Sequence, residues 1–144
     1  MSKKILITSL ADVKLEPAPI NPSWIISGEP QTSWKEIAAS KDKTTFKGFW
    51  TCTPGLFKWN YRDDETLHMI SGEAFLTLED GKEHRIGAGD VVYFPAGSSC
   101  IWRITEPVQK FAIVRRALPY PIGLIVRAFS KLGRIIKRDE RPWG

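Results

Sequence analysis

Gly89-Asp90-Val91-Val92-Tyr93-Phe94-Pro95-Ala96-Gly97 is the stretch that decides the fold of this chain. Its centre, Val91 to Phe94, is all β-branched or aromatic. Gly87-Ala88-Gly89-Asp90 precedes it and Pro95-Ala96-Gly97 ends it. Branched and aromatic side chains suit a pleated, half-buried surface, whereas glycine and proline suit the turns that bound it. The stretch therefore reads as a short strand between two tight turns.

The same punctuation continues in both directions. Upstream, strand-like runs occupy residues 45–53, 56–61, 66–70, 73–79 and 83–86, separated by Pro54-Gly55, Ser71-Gly72 and Asp80-Gly81. Downstream they occupy 99–105 and 108–115. Asp80-Gly81 predicts a hairpin with a type I′ turn, in which both central residues take positive φ. Many short strands at this spacing predict an all-β fold, a jelly-roll barrel. Residues 1–43 are broken by Pro17, Pro19, Pro22 and Pro30 and read as a β-rich arm. Its pieces at 4–8 and 24–27 are expected along an edge of the main body or of a dimer mate, where backbone groups satisfy each other. Beyond Pro119 and Pro121 the period changes. Ile122, Ile125, Phe129, Leu132 and Ile136 recur at steps of three and four, predicting an amphipathic helix over 121–138. The chain divides into an arm (1–43), a barrel (44–115) and a basic helix and tail (116–144).

With 144 residues the chain fits one domain. Its net charge of +5 is unevenly spread. Residues 1–114 hold 13 Lys/Arg against 14 Asp/Glu, while residues 115–144 hold 8 against 2. The body is thus nearly neutral and has no basic stripe for nucleic acid. No run approaches the ~18 apolar residues of a membrane span. Asp12 interrupts the first apolar run too early for a secretory signal. Cys52 and Cys100 make no disulfide framework and read as reduced thiols of a cytoplasmic protein. Six tryptophans point to an aromatic core or an aromatic-lined pocket.

Two spacings within residues 55–104 resemble the cupin superfamily. Glu65 is followed, after six residues, by Gly72; Gly89 is followed, after five, by Pro95 and then Gly97. A finer resemblance is to the subfamily of the (S)-ureidoglycine aminohydrolase cupin domain. It is carried by Gly48-Phe49-Trp50-Thr51-Cys52-Thr53-Pro54-Gly55, Phe57-Lys58-Trp59-Asn60-Tyr61, Gly89 to Gly97, Cys100-Ile101-Trp102 and Pro107-Val108-Gln109-Lys110-Phe111. The resemblance covers residues 44–115 and implies a jelly-roll barrel. Metal-binding cupins place two His before the Glu and one His after the second motif. Those positions fall here on Trp59, Tyr61 and Cys100, so only Glu65 is retained. His68 lies on the opposite parity from Glu65, and His84 follows the hairpin turn; neither replaces a ligand. The expected cofactor is therefore none.

Strand parity and the resemblance together assign a pocket. Trp50, Trp59, Tyr61, Glu65, Cys100 and Trp102 are its expected lining, with Lys110 the candidate cation for Glu65. A concave, mostly apolar site with a few polar groups suits a small molecule. The leading expectation is a cupin that binds a small organic ligand without the usual metal. A second is a lyase, isomerase or hydrolase of a small polar metabolite, with Glu65 as acid/base and Tyr61 as helper. The resemblance would make that metabolite nitrogen-rich, such as a ureido acid. Alternatively, Trp50, Trp59 and Trp102 simply fill the barrel and Glu65 belongs to a structural network. Cys100 as a nucleophile lacks a histidine base, and a packed, inert thiol is the simpler reading. The basic helix has three expected fates. It packs on the barrel or a dimer mate, it lies on an anionic membrane surface, or it binds another protein. By analogy with cupins, the chain is expected to form a homodimer.

Overall fold

The computed structural model describes residues 3–137, with residues 134–137 as backbone alone. It contains nine strands and one α-helix: β1 (Glu16–Pro17), β2 (Ile25–Ser27), β3 (Thr32–Ala39), β4 (Thr45–Cys52), β5 (Gly55–Asn60), β6 (Asp64–Thr77), β7 (Glu83–Gly87), β8 (Val91–Phe94), β9 (Ser99–Arg115) and α1 (Tyr120–Lys137). All the strands join one curled antiparallel sheet, the all-β jelly-roll architecture predicted by the turn spacing.

The central strand is β9. Its first half pairs with β5, from Asn60↔Ser99 to Gly55↔Ile104. Its second half pairs with β4, from Cys52↔Val108 to Thr45↔Arg115. β6 covers its other edge, from Thr77↔Ile101 to Asp64↔Arg115. In turn β6 carries β7 and β8, and β4 carries β3 and then β1. Inward residues alternate along β9: Cys100, Trp102 and Ile104 are buried, and so are Val108, Lys110 and Ala112. Of these, Cys100, Trp102, Ile104 and Val108 meet Phe57 of β5, Leu67, Met69, Ala74 and Leu76 of β6, and Trp50 and Cys52 of β4 in one continuous core.

Three expectations about the strands need correction. Residues 66–70 and 73–79 are not separate strands, nor are 99–105 and 108–115. Ser71-Gly72 and Glu106-Pro107 instead lie across from each other in bulges, with register shifts between Met69 and Ala74. A bulge absorbs unpaired residues without ending the ladder, and Pro107, which has no N–H to give, falls where β6 offers no partner. The Asp80-Gly81 hairpin exists, but its turn is not type I′. Leu78 N donates to Lys82 O (2.9 Å) and Gly81 N to Leu78 O (2.9 Å), which closes a three-residue loop. Only Gly81 (φ 82°) takes positive φ there; the Asp80 carboxylate accepts from Lys82 N (2.9 Å) and holds the turn.

The third correction concerns the arm. It contributes an eight-residue strand, β3, paired along β4. β2 does lie on an edge, beside β5 of the same chain. Residues 4–8, however, are not a strand. This segment lies instead beside a sheet face, with Leu6 and Thr8 bordering a groove. The helix forms after Pro119 as its periodicity predicts, yet it does not pack on the barrel: Ile122, Leu124, Ile125, Val126, Phe129 and Leu132 are all exposed. Its expected last residue, Arg138, lies outside the described residues.

Candidate ligand-binding site

A cavity of about 430 Å³ opens between β3, β4, β5, β6 and the second half of β9. Trp34, Trp50 and Trp59 wall it, and Glu65 and Lys110 form its polar surface. Each comes from a strand at inward parity. Lys110 stands between Val108 and Ala112, both buried, and is itself only 6% exposed. A lysine buried this far requires a partner, since desolvating an unpaired ammonium is costly. Its Nζ donates to Glu65 Oε2 at 2.8 Å. It also lies 4.5 Å from the centre of the Trp50 ring and 5.3 Å from that of Trp102. Carboxylate and ring faces together surround the ammonium with negative potential.

The tryptophans support each other edge to face. Trp50 and Trp59 are 6.0 Å apart at 81°, and Trp24 meets Trp59 at 5.2 Å and 70°. Trp24 is delivered by the short turn Pro22–Trp24, which Asn21 caps by accepting from Ser23 N at 3.0 Å. Trp34 reaches the cavity because β4 carries Gly48 beneath it. A Cβ at Gly48 would stand 2.6 Å from the Trp34 ring. Trp34, Phe46, Ala18 and Pro19 of the lining, and Trp24 against Trp59, were not anticipated from the sequence. The signal for Trp34 was present in Thr32-Ser33-Trp34-Lys35, where β-branched or aromatic residues alternate with polar ones as in a strand.

Tyr61, Cys100 and Trp102, expected in the pocket lining, do not line the cavity. They are packed around the first half of β9, next to Phe57 and Phe94. Trp102 Nε1 donates to the Tyr61 hydroxyl at 3.0 Å, and Tyr61 stacks on Phe94 at 4.1 Å. Parity made these side chains inward, but depth along the barrel decides which of them a ligand could touch. Burial pushes the Cys100 thiol up to about 11 and the Cys52 thiol up to about 12. Burial, together with the nearby Glu65, pushes the Tyr61 phenol well above its ordinary value. All three stay protonated at neutral pH. Cys52 donates to Thr53 O at 3.2 Å. An inert thiol at position 100 therefore fits its surroundings better than a nucleophile.

The donor set does not suit a metal. Among the described residues no group of three or more His, Cys, Asp or Glu side chains is placed to hold one. The Glu65 carboxylate, the one group shared with metal-binding cupins, already has a cation at 2.8 Å in Lys110. Trp59 and Tyr61, at the first two ligand positions, offer an indole and a protonated phenol. His68 and His84 both point outward and are exposed. A wider groove of about 1030 Å³, bordered by Leu10, Ile37, Phe49, His68 and Phe111, lies on the outer sheet face. It holds no acid–base pair, so the inner cavity is the better candidate for chemistry.

The curled sheet with its inward Glu and double-glycine turn defines a cupin barrel. Residues 39–112 match the EutQ-like cupin domain, and the chain belongs to that family. The match does not extend to the ureidoglycine aminohydrolase subfamily expected from the sequence. Among solved structures, a protein of unknown function of the DUF861 family from Pseudomonas syringae pv. tomato str. DC3000 is 31% identical, with a TM-score of 0.66 over 71% of this chain. The chain spans only 44% of that protein's length. The Clostridium difficile EutQ protein shares the fold at 16% identity, with a TM-score of 0.57 over 75% of this chain and 84% of its own. No curated protein sequence matches the chain.

Proposed function

We propose that the cavity binds a small, planar organic molecule by stacking on Trp50 and Trp59 and by polar contact with Glu65 and Lys110, without a cupin metal. The observation that carries this reading is the Lys110–Glu65 pair at 2.8 Å on the surface of a tryptophan-walled cavity. Cavities of this size suit metabolite-sized ligands, and a few fixed polar groups give orientation. A paired ammonium and carboxylate complement a ligand that carries both an acid and N–H donors. A ureido acid has that chemistry: its carboxylate suits Lys110, its planar ureido group suits the indole faces, and its N–H groups suit Glu65.

A catalytic reading draws on one observation, that Glu65 lines the cavity and could exchange a proton with a bound molecule. Tyr61, the expected helper, is near Glu65 but is hydrogen-bonded to Trp102 and does not line the cavity, so Glu65 would meet a bound molecule without it.

Tryptophan fluorescence during titration with N-carbamoylglycine, a simple ureido acid, tests the binding reading. The expected result is saturable quenching that weakens at least tenfold in Trp59→Ala and in Glu65→Gln. No saturable change at millimolar concentration, or unchanged binding in Trp59→Ala, would overturn the ureido acid assignment. Elemental analysis of protein purified without chelator tests the metal-free reading. Stoichiometric metal that disappears in Glu65→Gln would overturn it.

A further inference from the structure

Helix α1 presents an apolar surface that the barrel leaves uncovered. Phe129 is 70% exposed, Ile125 54%, Leu132 52%, and Ile122 and Val126 46% each. At steps of three and four these residues share one face, with Arg127 and Lys131 off it. Water-exposed apolar area of this kind on an otherwise folded chain marks an interaction surface.

Charge identifies the partner. From position 115 to 137 the charged residues are Arg115, Arg116, Arg127, Lys131, Arg134 and Lys137, all basic; Asp139 and Glu140 follow, leaving residues 115–144 with 8 Lys/Arg against 2 Asp/Glu. A second copy of the helix would bring the same positive charge and no counter-charge. An anionic lipid surface supplies both things the helix lacks: negative charge for the basic residues and an apolar layer for the exposed face. Among the described residues no helix is long and apolar enough to cross a membrane, so a membrane-bound α1 would lie along the surface. Tyr120, 77% exposed at its first turn, suits the same boundary with an apolar ring and a polar tip.

We infer that α1 is an interfacial anchor that binds the chain to anionic membrane surfaces through Ile122, Ile125, Phe129 and Leu132, with its basic residues at the headgroups. The inference is independent of what the cavity holds.

Co-sedimentation of the full chain with vesicles tests it. Vesicles of 70% phosphatidylcholine and 30% phosphatidylglycerol are expected to carry the protein down, and pure phosphatidylcholine vesicles to carry at least tenfold less. Raising salt to about 0.5 M shortens the Debye length to a few ångströms and should release much of it. Phe129→Glu is expected to cut binding at least tenfold while the tryptophan emission of the barrel stays unchanged, because Phe129 does not pack on the barrel. Arg127→Glu with Lys131→Glu should do the same for the anionic vesicles. Equal binding to both vesicle types, no binding to either, or wild-type binding by Phe129→Glu each overturns the inference. So does concentration-dependent dimerisation that Phe129→Glu abolishes in a chain that ignores vesicles, which would assign the face to a second copy.

Discussion

The two halves of β9 use similar materials to opposite ends. The first half carries Cys100 and Trp102 into a closed layer held by neutral hydrogen bonds and ring contacts, with the Lys110 ammonium at its border, 5.3 Å from the Trp102 ring. There Trp102 Nε1 donates to Tyr61, and Phe57 stacks parallel to Trp102 at 6.2 Å. The second half carries Lys110 to the wall of an open cavity, where the polar groups are a full ion pair among tryptophans. Neutral hydrogen bonds tolerate dense packing, because each partner is cheap to desolvate. A buried ion pair has much more to gain from a polar visitor, because each charge still has unfilled hydrogen-bonding capacity. The difference between the halves is thus one between filling space and reserving it.

The largest effect should come from breaking the ion pair. Lys110→Met leaves the Glu65 carboxylate buried without its cation and should cost about 3–5 kcal/mol in urea unfolding. Adding Glu65→Gln should recover most of that loss. If single and double variants are equally destabilised, Lys110 acts through packing alone and the contrast between the halves collapses. Next comes the neutral layer. Tyr61→Phe removes the acceptor of Trp102 Nε1 and should cost about 1–3 kcal/mol, with ligand binding in the cavity unchanged. A binding loss as large as that of Trp59→Ala would place Tyr61 at the site after all.

The smallest effect concerns pH. The two thiols have folded-state values raised to about 11 and about 12 by burial, against an ordinary value of 9.0. A raised value means that the unfolded chain gives up these protons first. Their contribution is therefore complete below pH 9 and is lost as pH rises through the folded values toward 12. Unfolding midpoints measured from pH 8 to 11 should fall from about pH 9 upward, and less steeply in Cys52→Ala. At pH 8 the folded chain should resist alkylation by iodoacetamide at both cysteines.

Much of this was legible in residue order because it depends on local periodicity. The turn at Gly89-Asp90 and the strand Val91–Phe94 follow from neighbours in sequence, and the inward side of Trp59 and Glu65 from the cupin resemblance. What escaped depends on partners far away. β3 joins the sheet because β4 lies beside it over its whole length, although Lys35 and Glu36 blur its apolar pattern. Ser71-Gly72 and Glu106-Pro107 look like strand ends until each is seen opposite the other. The candidate site divides the same way. Parity and the cupin resemblance pointed Trp50, Trp59 and Glu65 inward and left the direction of Lys110 open; the structure brings all four to one cavity. The same parity could not tell that Tyr61, Cys100 and Trp102 sit at the packed end, since depth is a property of the closed barrel.

The position of β9 also governs when the molecule can acquire a core at all. β4, β5 and β6 meet only along this strand, which ends at Arg115. Until it emerges, a chain leaving the ribosome can form the β3–β4 ladder and the β6–β7 hairpin but has nothing to join them. Contacts between such distant segments are slow to form, and unpaired strand edges are prone to associate. During synthesis the nascent barrel therefore spends most of its time with open edges, and the last strand to appear is the one that closes them.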